Sequence, residues 1–247
     1  LYTTAFFNSS YNSENAFGPT YGLHREALEF NFDQYKELQA EALNLGLTFF
    51  ATPFDLPSLD FLQRLNIPFY KIASAGTQNP LLVRAISSMK KPVLVATGGI
   101  GVEQVRRVVD ALDGCPIVLM HCVSAYPIKP EKMNIGRVSE LKAAFPDCII
   151  GFSDHEHGLI TSLMATVLGA KVFEKHITMD HTAKGTDHVF SQEFGGFSQY
   201  IKNLSRAHGA LTIYDQPMKE ELNPLYKMGY AVYPARDLYK GLVISPL

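Results

Sequence analysis

The sequence predicts an α/β fold of the (β/α) barrel type, and three observations carry that prediction. One pattern recurs from about residue 47 to 212: a short apolar run, a polar or Gly-rich turn, then an amphipathic stretch. Polar side chains follow almost every apolar run. No GxGxxG opens a helix after any run, so the signature of a doubly wound dinucleotide fold is missing.

The runs are Leu47–Ala51, Pro68–Ala73, Pro92–Ala96, Pro116–Met120, Cys148–Gly151 and Lys171–Glu174. Each is almost continuously apolar, as parallel strands buried on both faces are. Helical patterns lie between them: Leu56–Leu65, Pro80–Met89, Val102–Leu112, Ile135–Phe145, Leu159–Leu168 and Glu193–Leu211. Phe32–Asn44 reads as a helix before the first run, with Asp33 available as its cap. Strands alternating with helices mean βαβ units and a parallel sheet. A closed barrel needs eight such units, and about six are visible here. Residues 1–212 therefore read as a partial barrel and 213–247 as a separate tail. The first thirty residues are a polar, aromatic loop, and the tail is Pro- and Tyr-rich up to Pro246-Leu247. Both ends look cut.

Composition narrows the function. Apolar residues make up 47% and charged residues 19%, enough for a core and a wetted surface. A net charge of −2 with no run of Lys or Arg argues against nucleic acid or an anionic membrane as partner. No apolar stretch is long enough to span a bilayer. Cys115, Cys122 and Cys148 show no CxxC spacing and read as reduced thiols of a cytoplasmic protein. The chain opens on Leu1, and no leader pattern follows it.

Chemistry concentrates at the ends of the runs. His155, in Gly151-Phe-Ser-Asp-His155, and His176, in Glu174-Lys-His176, stand 21 residues apart, one full βα unit. That spacing sets two imidazoles side by side at a barrel mouth, where they can share a divalent metal such as Mn²⁺, Fe²⁺, Co²⁺ or Zn²⁺. Two histidines that merely cap strands would give the same residues. Lys71, Ser74, Thr52, Thr97 and Ser153 can converge on a phosphate or carboxylate. A lysine inside an apolar strand must end in a wet or paired site, although one that only snorkels looks the same. Thr97-Gly-Gly99 could free backbone N–H groups for an anion, a weak signal. Gly185 permits a tight turn that would aim Asp187 back over the mouth, as a functionless polar loop could also do.

An ordered set of segments resembles the sialic acid synthase family. It comprises His121-Cys-Val-Ser-Ala-Tyr-Pro127, Gly151-Phe-Ser-Asp-His155, Leu168-Gly-Ala-Lys-Val-Phe-Glu-Lys-His176 and Gly185-Thr-Asp-His188. Ala51-Thr-Pro-Phe-Asp55, Phe69-Tyr-Lys-Ile-Ala-Ser74 and Tyr21–Glu29 fit the same family in order and spacing. The resemblance implies a TIM barrel followed by a small antifreeze-like domain, in a domain-swapped homodimer. The implied reaction condenses phosphoenolpyruvate with N-acetylmannosamine, its 6-phosphate or a diacetamido sugar, giving a nine-carbon 2-keto acid and phosphate. It further implies that His155 and His176 hold the metal, most often Mn²⁺, with Mg²⁺ or Co²⁺ as substitutes. Lys71, Ser74, Thr52, Ser153 and Ser124 would meet the phosphate, Tyr126 and Asp187 the sugar, and Glu174 would stand near the reacting centre.

The match has departures. Ala96 stands where the family usually has Ser, and Ser124 replaces a common Asn. Two opening strands of the family, with a Glu and a Lys-x-Gln, have no counterpart here. The segment Ala231–Ile244 resembles the linker and opening of the antifreeze-like domain, whose substrate-binding Arg would lie beyond Leu247. The chain therefore reads as the middle of a longer product, impaired on its own because open barrel edges favour aggregation. The alternatives are another phosphoenolpyruvate-dependent aldol synthase, or a metal-binding barrel that turns nothing over.

Overall fold

The structure, a computed structural model, describes residues 7–243. Residues 1–6, the last position of the 231–244 segment and the terminal Pro246-Leu247 lie outside the described residues. The chain divides into two compact units, Leu1–Ala210 and Leu211–Leu247.

Helices α1 (Tyr21–Glu26), α2 (Phe32–Asn44) and α3 (Leu56–Arg64) open the first unit. They lead into β1 (Tyr70–Ile72), α4 (Pro80–Ser88), β2 (Val93–Ala96), α5 (Val102–Ala111) and β3 (Ile117–His121). Then come α6 (Arg137–Ala144), β4 (Ile149–Asp154), α7 (Ile160–Val167), β5 (Val172–Lys175) and α8 (Phe194–Ala210). The five strands pair in sequence order and every pairing is parallel. The alternating pattern of the sequence thus appears as a curled sheet with helices on its outside, half of a barrel.

Curvature follows from one contact. In a flat sheet, four steps of about 4.8 Å would hold β1 and β5 about 19 Å apart, beyond the reach of two side chains. Lys71 Nζ on β1 nevertheless lies 2.7 Å from Glu174 Oε1 on β5.

Strand register sorts the residues into two faces. Tyr70, Ile72, Val93, Val95, Leu119, Ile150 and Phe152 point outward and are buried under the helices. They pack with Leu82, Val83, Ile86, Val105, Leu112, Val138, Leu141 and Ala165. Burying each such side chain contributes about 1.5–3 kcal/mol, so the outer layer holds the unit together. Lys71, Leu94, Val118, Gly151, Ser153 and Glu174 point inward, and most of these are only half-buried.

Local chemistry sets the helix starts. Asp55 Oδ1 accepts the Ser58 N–H (2.8 Å) at the head of α3, and Asn79 Oδ1 accepts the Leu82 N–H (3.2 Å) at that of α4. Each helix has a Pro in its first turn, where no donor is lost. The cap of α2 is Asn31, not the expected Asp33. Asn31 and Gln34 form a reciprocal capping box, and Asp33 sits inside the first turn, where its charge suits the helix dipole.

The run Leu47–Ala51 does not join the sheet as expected. Among the described residues no backbone hydrogen bond ties it to β1. Aromatic contacts hold it instead, Phe50 on Phe69 (4.4 Å between centroids) and Phe49 on Tyr35 (6.2 Å). Apolarity alone does not make a strand without a ladder partner.

The second unit contains α9 (Lys219–Met228), in a stretch the sequence marks only as Pro- and Tyr-rich. Its start is fixed by Glu221, whose carboxylate accepts the Met218 N–H (2.8 Å), and it tolerates Pro224 inside.

Candidate active site

The ends of β4 and β5 carry the predicted chemistry. His155 and His176 each stand just past a strand end, and their ring centroids are 5.5 Å apart. His155 is buried, and its Nδ1 meets the Val123 carbonyl at 2.7 Å. A carbonyl only accepts, so Nδ1 carries the proton and Nε2 keeps its lone pair free. Burial pulls both imidazoles below their ordinary value, which keeps them neutral, the form that binds a metal. Asp187 Oδ2 lies 3.6 Å from His176 Nδ1, a dipolar contact with a neutral ring rather than an ion pair.

Ser153 and Glu174 are register partners on the inner face. Ser153 Oγ donates to Glu174 Oε1 at 2.8 Å, and the Lys71 ammonium donates to the same oxygen at 2.7 Å. Burial alone would raise the Glu174 carboxyl. Lys71 and Ser153 outweigh it and hold that carboxyl below the usual carboxylate range. Lys71 therefore ends in a paired site and does not snorkel free. Ser153 Oγ is also 3.5 Å from His155 Nε2, but its one proton goes to Glu174, so the imidazole lone pair stays open to a ligand.

Beside this set, Ser74 Oγ accepts the Gly98 N–H (3.1 Å) and lies 3.3 Å from Cys122 Sγ. A Cβ on Gly98 would fall 2.4 Å from Ser124 Oγ and 2.7 Å from Ser74 Oγ. Only glycine lets these two hydroxyls approach there. Burial pushes the Cys122 thiol up, so it stays protonated. Tyr126 is half exposed and packs on His155 with its ring tilted (4.2 Å between centroids), while Phe190 packs on His176 (4.9 Å).

The predicted residues gather unevenly. Lys71, Ser153, His155, Glu174, His176, Tyr126 and Asp187 form one contact network, with Ser74 and Ser124 beside it. Thr52, on the unpaired segment before α3, makes no hydrogen bond to the others among the described residues. Thr97 is spent on structure, because it is buried and its hydroxyl donates to the Met120 carbonyl at 3.2 Å. In Thr97-Gly-Gly99, the Gly98 N–H already serves Ser74, which leaves Gly99 as the one glycine of the pair whose N–H has no partner among the described residues. Gly185 has the positive φ (149°) that its turn requires, and its N–H donates to Asn15 Oδ1 at 3.1 Å.

Among the described residues no group of three His, Cys, Asp or Glu side chains is placed to hold a metal. The two imidazoles still fit one, being neutral and adjacent, with His155 oriented from behind by the Val123 carbonyl and other positions left to substrate and water. Sequence reading missed the layer behind them, where Asp154 and Lys175 are almost fully buried and ion-paired at 3.2 Å. The available signal was a charge, Asp154 or Lys175, at the last position of each of these two strands.

With this geometry in view, comparison with known proteins is specific. A model of the NeuB family matches residues 1–215. N-acetylneuraminate-9-phosphate synthase of Mus musculus is 39% identical over 81% of this chain and 56% of its own length. The Homo sapiens protein of the same name is 36% identical over 95% of this chain and 66% of its own length. The chain thus spans a little over half to two thirds of these curated relatives. Among solved structures, the N-acetylneuraminic acid (sialic acid) synthetase of Leptospira borgpetersenii, in complex with citrate, superposes with a TM-score of 0.77. That match is 29% identical and covers 88% of this chain and 78% of the other. The chain belongs to the NeuB family, that of the sialic acid synthases.

Proposed function

We propose that this chain carries the barrel site of a sialic-acid-type synthase. It joins phosphoenolpyruvate to N-acetylmannosamine, its 6-phosphate or a diacetamido relative, releasing phosphate and a nine-carbon 2-keto acid. The observation that carries this reading is the convergence of Lys71, Ser153, Glu174, His155 and His176 at one mouth. Among the acceptors the 6-phosphate ranks first. The mouse and human relatives are named for a 9-phosphate product, and C9 of a product built from three plus six carbons derives from C6 of the hexose.

His155 and His176 would hold a divalent ion, Mn²⁺ first, with Mg²⁺ or Co²⁺ as substitutes. When bound, it supplies Lewis-acid polarisation of the acceptor aldehyde. Lys71, Ser74 and Ser124 receive the phosphoenolpyruvate anion, with Thr52 at the margin, and their fixed dipoles stabilise the phosphate as it leaves. Glu174, kept ionised, accepts the proton of the water that adds at C2. Tyr126 and Asp187 bind the sugar above the imidazoles. The same reading includes a homodimer in the cytoplasm.

Incubation with Mn²⁺, phosphoenolpyruvate and each acceptor tests it. Phosphate release matched by a nine-carbon keto acid supports the proposal, and Mn²⁺ binding without turnover supports instead a metal-binding barrel that turns nothing over. His155→Ala or His176→Ala should abolish metal-dependent turnover. Normal activity of either variant with added metal would show the ligands to be wrong.

A further inference from the structure

Alternate residues at the ends of β4 and β5 point away from the mouth, and there the chain builds a second polar cluster. Asp154 and Lys175 are register partners, with side chains 0% and 1% exposed. Asp154 Oδ1 accepts the Glu156 N–H (2.8 Å), and Oδ2 accepts the Ser162 hydroxyl (2.7 Å) besides pairing with Lys175. Lys175 Nζ also donates to the main-chain carbonyl of Glu156. The Glu156 carboxylate takes the N–H and hydroxyl of Thr161 (3.2 and 2.5 Å), and Ser162 meets the Tyr200 hydroxyl at 2.8 Å. Two charges this dry gain little stability over apolar replacements, so stability alone is a poor account of them.

Their connectivity points to another role. Asp154 and Glu156 flank His155, and Lys175 lies between Glu174 and His176. A single ammonium therefore ties the residues on both sides of one imidazole to the segment that carries the other. We propose that Lys175 is a positioning residue. Held by Asp154 and the Glu156 carbonyl, it fixes the separation of the His155 and His176 rings. The metal readout of this proposal rests on the reading of those rings as ligands; the ring separation does not.

The test compares Lys175→Arg, which keeps the charge, with the double variant Lys175→Met/Asp154→Leu, which leaves no orphaned charge. Mn²⁺ alone is the probe, titrated calorimetrically, with thermal unfolding run in parallel. The double variant should fold and bind Mn²⁺ about ten- to hundredfold more weakly, and Lys175→Arg should stay within about threefold of the unsubstituted protein. A folded double variant with unchanged affinity overturns the proposal. If the double variant does not fold, the isosteric Asp154→Asn decides by the same measurement: weakened binding supports positioning, and unchanged binding overturns it. If the unsubstituted protein binds no Mn²⁺, the metal reading fails. The positioning role is then decided by the ring separation in a crystal structure of the same variant. A gap moved from 5.5 Å supports it, and an unmoved gap overturns it.

Discussion

Two clusters share the ends of β4 and β5 and differ in what they leave undone. The outer one, Asp154, Lys175, Glu156, Thr161, Ser162 and Tyr200, spends its hydrogen-bonding capacity internally and is closed to water. The inner one, Ser153, Glu174, Lys71, His155 and His176, is also paired, yet Lys71 and Glu174 keep 16% and 29% of their side chains exposed. His155 Nε2 meets only the distant Ser153 hydroxyl. A buried polar group must be fully satisfied, because nothing else compensates its lost hydration. A site must instead hold groups in place while leaving them with capacity for a ligand. One residue of displacement along a strand separates the two designs.

The largest expected effect breaks the outer cluster. Asp154→Ala strands the Lys175 ammonium in a dry environment and should cost about 3–5 kcal/mol in urea denaturation. Glu174→Gln on the adjoining strand should cost less than about 1 kcal/mol, because water reaches Lys71. Its turnover should nevertheless fall about 10²- to 10⁴-fold, measured as phosphate release. If the two substitutions destabilise equally, the division into a closed and an open cluster is wrong.

The inner face was the more legible of the two. Ser153, His155, Glu174 and His176 follow apolar runs at the spacing of one βα unit, and that pattern needs only the parallel-sheet register to become a site. Lys71 was legible as an anomaly, a cation inside an apolar strand. Its partner, 103 residues away, was not, because only the curl of the sheet brings β1 to β5. The outer cluster escaped for a related reason. Asp154 and Lys175 look like solvated neighbours of the site residues until α7 and α8 cover them. Helices α2 to α8 were read to within two residues at each end, since 3.6-residue periodicity is a local property, whereas α1 and α9 lie in what reads as a polar loop and a Pro- and Tyr-rich tail and were not. The Leu47–Ala51 run misled because strand pairing is not local.

A smaller effect concerns how closely the inner face is built. A Cβ on Gly151 would lie 2.2 Å from Met120 Sδ and 2.8 Å from the Val172 carbonyl oxygen. The thioether can move, but the backbone oxygen cannot without parting β4 from β5. Gly151→Ala should therefore destabilise by about 1–3 kcal/mol. It should also lower turnover, because Ser153 and Glu174 sit one register step above on the same face. Full activity in a destabilised Gly151→Ala protein would show that the inner face tolerates a shifted sheet.

The mildest test is pH. His121, on the outer face, is buried against the Met133 carbonyl (2.9 Å), and burial pulls its imidazole below the ordinary value, as it does for His155 and His176. An unfolded chain takes up protons on these rings near pH 6.5, whereas the folded chain resists until lower pH. The unfolded state therefore binds more protons just below that value, so stability should be complete above about pH 6.5 and decline as pH falls through it. The thermal midpoint measured across this range should show that decline. Substituting His121 by Asn should remove one part of it and leave the part due to the inner pair. Mn²⁺ binds only neutral imidazole, so adding it below pH 6.5 should steepen the loss on acidification where the inner histidines are intact. It should leave the decline unchanged in His155→Ala/His176→Ala, which retains His121. An equal response in both proteins would place the metal elsewhere and remove the chemical distinction between the two faces.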